Sequence, residues 1–457
     1  MATPIPEVQR AYFRTGATLD VQFRRAQLGR LREAVVRREG EILDALKRDL
    51  GRPAVESFTA EIATLLAEID LARKRLRAWA RPRRQRTPLA LFPARSWIRP
   101  EPYGSVLVVS PWNYPFLLAM APLAAALAAG NCAVVKPSEA APHTSRLVEQ
   151  ILGETFEPAY VSVVHGGVPE TQALLAQRFD YVFFTGSARV ATLVMAAAAQ
   201  HLTPVTLELG GKNPCIVERD ADVALAARRI AWGKFINAGQ TCIAPDFVLA
   251  HQAAKPALLA ALGRAIEGFY GKEPGASPDF GRIVDERHFD RLAAMLREGR
   301  VVAGGQADRA QRYIAPTVLD GVGWDSALMQ EEIFGPILPV LGFDSLEEVL
   351  GELAGRPKPL ALYFFGKQRA QQEEALRRVP SGGACINDTL GQFLNLRLPF
   401  GGVGDSGMGA YHGRTGFDTF SHLRSVVRRA NWADPGTRYP PYRTPIAVLR
   451  RIAPFLF

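Results

Sequence analysis

Three residues have the types and settings that covalent chemistry on a carbonyl carbon requires. Cys242 follows Asn237-Ala238-Gly239-Gln240-Thr241, a run too small and polar to make a good core segment. A catalytic thiol needs such neighbours, so that substrate can approach and backbone N–H groups can meet developing charge. A lone Cys is otherwise a small buried hydrophobe, and that reading holds for Cys132, Cys215 and Cys385, which start or lie within apolar strands. Glu208 stands between Leu207 and Leu209, just before Gly210-Gly211. A carboxylate there is costly unless used or paired, and partial desolvation raises its pKa toward that of a general base working near neutrality. The alternative is a surface Glu alternating with buried leucines. Asn113, in Pro111-Trp112-Asn113-Tyr114-Pro115, can donate its amide to an oxyanion beside a backbone N–H of the nucleophile. Taken alone it reads as a turn former.

These side chains need a scaffold, and the hydrophobic pattern supplies one. Apolar spacing over 20–80 predicts two amphipathic helices, with Leu28, Leu31, Val35, Ile42 and Leu46 on the inner face. A Pro-rich connector follows over 81–102. Strands are then expected at 106–109, 133–135, 161–164, 181–184 and 205–209, with helices at 116–129, 144–152 and 188–200. After Gly210-Gly211, read as a hinge, the alternation restarts. Strands fall at 215–217, 247–250, 337–341, 360–365 and 383–386, with helices at 221–236 and 254–270. Strands separated by helices of ten-odd residues predict parallel sheets built from crossovers, so the fold class is α/β. Beyond Asp388 the chain reads as loop-rich. Asn113, Glu208 and Cys242 sit near element ends, where ligands of open α/β sheets bind.

At 457 residues the chain is long enough for two or three domains. Four Cys without a Cys-x-x-Cys spacing, and seven His, speak against structural zinc. So few thiols suit a reducing compartment, and Met1–Arg10 lacks an apolar leader segment, which together point to the cytoplasm. The apolar run 116–129 is about half to two-thirds of a membrane span and is bracketed by Pro115 and Gly130, so it reads as a buried helix. Net charge is +10, much of it at Arg73-Lys74-Arg75, Arg77, Arg81, Arg83, Arg84 and Arg86. No RNA-binding or helix-turn-helix pattern accompanies the cluster, so it reads as a solvated helix end and linker with no nucleic-acid partner.

Asn113, Glu208 and Cys242 in this order resemble the aldehyde dehydrogenase superfamily. So do Lys136-Pro137-Ser138-Glu139, Phe184-Thr185-Gly186-Ser187, Glu331-Glu332-Ile333-Phe334-Gly335-Pro336 and Pro399-Phe400-Gly401-Gly402. The matches run from about residue 100 to about 425. The short N-terminus, the segment Thr241-Cys242-Ile243-Ala244-Pro245-Asp246 and the segment Gly407-Met408-Gly409-Ala410-Tyr411-His412-Gly413 resemble its dimeric, class 3-like branch. The resemblance implies a Rossmann-like cofactor domain over 1–209, to whose bridging element the connector 81–102 contributes. It implies a second α/β catalytic domain over 210–387. Residues 388–457 would return to the cofactor domain and hold an oligomerisation element and a basic, apolar tail.

The cofactor implied is NAD or NADP. Lys136 and Glu139 would lie near the adenosine ribose, Glu332 at the nicotinamide ribose and Phe334 near the nicotinamide ring. No Gly-x-Gly-x-x-Gly follows Val109. Gly186, Ser187 and Val190 instead open a helix whose free N–H groups can face a pyrophosphate. Ala191 stands where the family usually carries Gly. In the reaction implied, the Cys242 thiolate adds to an aldehyde, Asn113 and a backbone N–H hold the oxyanion, hydride loss leaves a thioester, and Glu208 activates water.

Transfer of the acyl group to coenzyme A is disfavoured by Glu208, a thiol hydrolase by the lack of a recognisable His partner, and a non-catalytic scaffold by the intact reactive positions. The expected substrates are medium-chain aliphatic or aromatic aldehydes, with Tyr114, Leu118 and Phe393 as candidate pocket lining. A homodimer is expected. The tail over 445–457 is too short to span a membrane; it would rest weakly on a membrane surface or pack on the partner subunit.

Overall fold

The computed structural model describes residues 4–434 and 436–456. Met1–Thr3, the start of the segment read as lacking a leader, and Phe457, the last residue of the tail, lie outside the described residues.

The N-terminal helical region has more parts than the spacing predicted. Val21–Arg37 and Glu39–Leu50 carry the expected inner face, and Leu28, Leu31, Val35, Ile42 and Leu46 are all fully buried. Gly51 then turns left-handed (φ 62°) and Pro53 restarts the chain, ending the second helix. A short helix Ala54–Ser57, a π-helical stretch Phe58–Ala63 and a long helix Thr64–Trp79 follow. The wider π turn places Glu61 in the interior, where it is fully buried.

The Pro-rich connector is not featureless. It forms β1 (Arg83–Gln85) and β2 (Ala94–Pro102), and β2 pairs along its whole length with β18 (Ser421–Arg429) in an antiparallel three-stranded sheet. The stretch after Asp388, read as loops, thus contributes a nine-residue strand, which the sequence disguises because most of its side chains face solvent.

Two larger sheets carry the core. In the first, β3 (Ser105–Val109), β4 (Cys132–Lys136), β5 (Val161–Val163), β6 (Tyr181–Thr185) and β7 (Val205–Glu208) are parallel. Every residue of β3 and β4 is buried, as expected where helices cover both faces. The helix Leu117–Ala129 packs here and buries all but one of its side chains, so its apolar run is core. The second sheet contains β8 (Pro214–Val217), β9 (Phe247–His251) and β10 (Arg300–Ala303). After the small hairpin β11 (Ala307–Asp308) and β12 (Tyr313–Ile314) it continues with β13 (Thr317–Asp320), β14 (Ile337–Phe343), β15 (Ala361–Phe365) and β16 (Gly383–Ile386). Its order is β10-β13-β14-β9-β8-β15-β16, with only β10 antiparallel. The chain then returns to the first sheet, where β17 (Gly407–Met408) pairs antiparallel with the end of β7.

Gly210 and Gly211 link the two sheets, and their need for glycine is steric. A Cβ on Gly210 would lie 2.1 Å from the Glu332 carboxylate, and one on Gly211 would lie 2.9 Å from the Leu360 backbone nitrogen. The crossing is a packed seam at which two chain segments approach closely.

A cysteine tunnel that meets an open cleft

The helix Val223–Phe235 runs out into a 3-10 turn, Ile236–Gly239, in which Asn237, Ala238 and Gly239 all take positive φ (54°, 51° and 76°). Cys242 follows on a loop held from several sides. Asn213 donates to the carbonyls of Cys242 (2.8 Å) and Ala244 (3.0 Å) and accepts from the Ala361 N–H (2.8 Å). Tyr363 donates to the Ile243 carbonyl at 2.5 Å, and Gln240 binds the backbone of Arg282 and Val284. Gly239 is obligatory: besides its φ, a Cβ there would lie 2.2 Å from the Gly335 carbonyl oxygen.

Cys242 lines an apolar tunnel of about 200 Å³ together with Glu208, Tyr114, Leu118, Phe393 and Tyr411. The three positions expected as lining are therefore all present. Trp232 and Leu394, also on its wall, are 41% and 59% exposed and mark its mouth. Among the described residues Glu208 is the only carboxylate on the tunnel wall. It is buried at the end of β7, and among the described residues neither of its oxygens finds a hydrogen-bond partner. Burial pushes its pKa well above the ordinary carboxylate range. Burial also pushes the Cys242 thiol up to about 12, with the Glu332 and Glu208 charges adding to the rise. A thiol so placed is protonated at neutral pH and must lose its proton to become nucleophilic.

Asn113 lies beside this loop. Its Nδ2 donates to the Gln240 carbonyl at 3.1 Å, and the neighbouring Tyr114 hydroxyl shares a hydrogen bond with Thr241 at 2.7 Å. Cys242, Glu208 and Asn113, far apart in sequence, are thus gathered around one cavity and the loop that edges it.

A second cavity, an open cleft of about 870 Å³, meets the tunnel at Thr185, which lines both. Lys136, Glu139, Gly186, Ser187 and Val190 all line the cleft. Lys136 is buried at the end of β4 and donates to Glu139 at 2.8 Å. Desolvation pulls the Glu139 carboxyl upward, but this hydrogen bond and charge outweigh it and hold the group below its ordinary value. The helix Ala188–Ala199 opens on the cleft, and Ser187 supplies no side-chain cap, so its first N–H groups are free for an anion. Gly186 is required by packing, since a Cβ would lie 2.6 Å from the Phe184 ring. Ala191 is buried within this helix without disturbing it.

Glu332 and Phe334 stand outside the cleft lining, on the seam between the sheets. Glu332 accepts from the Gly211 N–H at 3.2 Å, and burial, reinforced by Asp246, raises its pKa to about 8. The Phe334 ring stacks edge-on against Trp112, 5.4 Å away, and Trp112 lines the cleft. The size of the cleft, its uncapped helix N-terminus and the charged pair at its side fit a dinucleotide. Among the described residues no cluster of His, Cys, Asp or Glu could hold a metal ion.

The residues that sequence reading missed are those holding these groups in place: Arg52, Glu61, Asn213, Asn237 and Tyr363. Arg52 sits in a Gly-Arg-Pro turn and Asn213 in a Lys-Asn-Pro turn, where a turn reading suffices. Nothing local signals a buried role.

A dinucleotide-sized cleft meeting an apolar, thiol-bearing tunnel between two parallel sheets defines a dinucleotide-linked oxidoreductase of the covalent type. The chain belongs to the aldehyde dehydrogenase family, whose model matches residues 7–426. It is 47% identical over 436 residues to the 4,4'-diaponeurosporen-aldehyde dehydrogenase of Staphylococcus aureus, covering 95% of each chain. It is also 47% identical to the rat aldehyde dehydrogenase family 3 member B1, covering 95% of this chain and 93% of the relative. Among solved structures, the substrate-bound state of Staphylococcus aureus AldH superposes with a TM-score of 0.96 at 46% identity over 98% of both chains. An indole-3-acetaldehyde dehydrogenase complexed with NAD+ superposes at 0.86 with 28% identity, over 93% of this chain and 88% of that one. The protein is an NAD(P)-dependent aldehyde dehydrogenase with relatives in the family 3 class.

The seating of Gly239 is directly testable. Gly239→Ala should lower the unfolding free energy by about 2–4 kcal/mol through backbone strain and overpacking. It should also slow alkylation of Cys242 by iodoacetamide. An unchanged urea midpoint would show that the loop is not held as described.

Proposed function

We propose that this enzyme oxidises medium-chain aliphatic or aromatic aldehydes to carboxylic acids, with Cys242 as nucleophile, Asn113 as oxyanion donor and Glu208 as general base. The observation that carries this reading is that Cys242 and the unpaired Glu208 carboxylate face one apolar tunnel, which meets the dinucleotide-sized cleft at Thr185. Cys242 Sγ adds to the aldehyde carbon as its thiol proton passes to solvent water entering through the tunnel mouth. The carbonyl oxygen becomes an oxyanion held by the Asn113 amide and the Cys242 N–H. One amide hydrogen of Asn113 is engaged by the Gln240 carbonyl, which leaves the other for this task. Lys136, Glu139, Gly186, Ser187, Val190, Glu332 and Phe334 would hold NAD(P)+, which when bound accepts the hydride of the tetrahedral adduct. Cys242 is then a thioester. Glu208 takes a proton from water, the hydroxide adds to the acyl carbon, and Sγ leaves as the acid is formed. Desolvation of Glu208 makes it basic enough for this step.

Cys242→Ala should abolish NADH formation from an aldehyde supplied without coenzyme A. Glu208→Gln should keep a single-turnover burst while losing about 10²-fold or more in steady-state rate. In the wild type, turnover should rise with pH through the raised Glu208 pKa, because only the ionised carboxylate can accept the proton. Retention of that limb in Glu208→Gln would reassign the base.

NAD+ is the preferred cofactor in this reading, since the Glu139 carboxylate beside Lys136 repels a 2′-phosphate. Glu139→Gln should lower the KM for NADP+ by about tenfold with little change for NAD+, a differential of about 1.4 kcal/mol. Equal changes for both cofactors would remove Glu139 from that role.

The bridging sheet and tail support two further assignments. Among the described residues, no strand pairs with the second edge of β18, and an open nine-residue edge supports a homodimer formed along it. The segments 81–102 and 421–456 carry thirteen arginines against Glu101 and Asp434. That is +11 of a whole-chain +10, so the other residues together hold −1. On this basic region the helix Ile446–Leu456 exposes Ile446, Leu449, Ile452 and Phe455, and Phe92, Trp432 and Tyr442 are exposed on the same segments. Basic charge with exposed apolar and aromatic side chains suits the surface of an anionic bilayer. Among the described residues no helix is long and apolar enough to cross one. The protein should bind phosphatidylglycerol vesicles, not phosphatidylcholine ones, and Arg450→Glu with Arg451→Glu should release it while it still sediments at twice the chain mass. Loss of that mass in the double variant, without vesicle binding by the wild type, would instead place the helix on the partner subunit.

A further inference from the structure

Among the described residues the largest fully buried side chain is Arg52, a cation some sixty residues from Asn113 and nearly two hundred from Cys242 in sequence. Its guanidinium forms an ion pair with Glu61, itself fully buried, and lies 3.6 Å from Glu56. It donates to the Asn113 carbonyl and, at 2.9 and 3.1 Å, to the side-chain oxygen of Asn237. It also stacks over the Tyr114 ring, 4.6 Å from the centroid.

Its partners extend the contact in two directions. Glu61 accepts the N–H groups of Phe116 (2.8 Å) and Leu117 (2.9 Å), the first turn of the helix that follows Asn113. Asn237 donates to the Asn113 carbonyl (2.8 Å) and to the Gln240 carbonyl (3.0 Å) and gives its own N–H to Glu56 (2.8 Å). The Gln240 carbonyl is also the acceptor for the Asn113 amide. One cation therefore joins the backbone of the Asn113 turn, the helix behind it and the strained turn that leads into Cys242. A buried charge is retained at a cost of desolvation, and here Nη1 is matched by Glu61 while Nε and Nη2 are committed to the Asn113 and Asn237 turns.

We propose that Arg52 is a positioning residue for the oxyanion hole. By holding the Asn113 carbonyl and the Asn237 side chain at once, it sets the spacing between the Asn113 amide and the Cys242 loop. This rests on the reading of Asn113 and Cys242 given above. A displaced donor loses most of its value, because an oxyanion-hole hydrogen bond depends on being preorganised at the place where charge develops.

Arg52→Met should lower the rate constant of the NADH burst by at least tenfold while the Kd for NAD+, read by tryptophan fluorescence, stays within twofold. Arg52→Lys, whose ammonium keeps the charge and three donors, should restore the burst to within about threefold of wild type. If Arg52→Met alone does not fold, Arg52→Met with Glu61→Gln removes the fully buried ion pair as a unit and should show the same burst loss. A burst rate within twofold of wild type in the folded Met variant, whatever its melting temperature, overturns the proposal, as does a Lys variant no better than Met. Asn113→Ala is measured alongside. If it keeps a wild-type burst, the oxyanion assignment itself falls; if it loses the burst and Arg52→Met does not, the Arg52 proposal falls alone.

Discussion

Three successive residues at positive φ, Asn237 to Gly239, set the terms for the rest of this structure. Only Gly adopts that conformation freely, and Asn tolerates it better than Ala does. Such a turn persists only where its surroundings over-determine it. The surroundings here come from every layer of the fold. The N-terminal helical region sends Arg52 and Glu56 to the turn and Gly335 closes on Gly239, while Asn213 from the seam and Tyr363 from β15 hold the Cys242 loop into which the turn leads. The π-helical stretch at Phe58–Ala63, an irregularity with its own cost, brings Glu61 to Arg52. What looks like an N-terminal helical appendage is thus part of the frame that holds the thiol.

The electrostatics divide between paired and unpaired charge. Around the turn two charge pairs are closely matched, Arg52 with Glu61 and Lys212 with Asp246 at 2.5 Å. Along the tunnel charges are not. Glu208 has no partner among the described residues, and Cys242 is raised in pKa by burial and by the nearby Glu332 and Glu208 carboxylates. The groups proposed for chemistry are those left uncompensated, and the groups that are compensated hold them in place. This division costs stability where it supplies reactivity.

The sequence exposes the reactive residues more readily than their supports, for physical reasons. Cys242 in a small polar run and Glu208 between leucines violate local expectations, and such violations can be seen one residue at a time. The parallel sheets were legible because strands buried on both faces read as unbroken apolar runs, as in β3 and β4. Arg52 and Asn213 violate nothing locally; their burial arises only when distant segments close over them. β18 was missed because a solvent-facing strand rich in Arg and Ser carries no apolar alternation. The division of the helices at Gly51 and Pro53 was present in the residues, but the π turn beyond it follows from where Glu61 must reach.

Among the described residues Thr185 alone lines both cavities, and the tunnel opens near Trp232 and Leu394, away from the cleft. On the proposed reading, aldehyde and dinucleotide therefore have separate entrances. The acid formed there would be able to depart through the tunnel while the dinucleotide still occupied the cleft. The order of product departure is then not imposed by a shared exit, and departure of the dinucleotide can set the pace of the cycle without trapping the acid behind it.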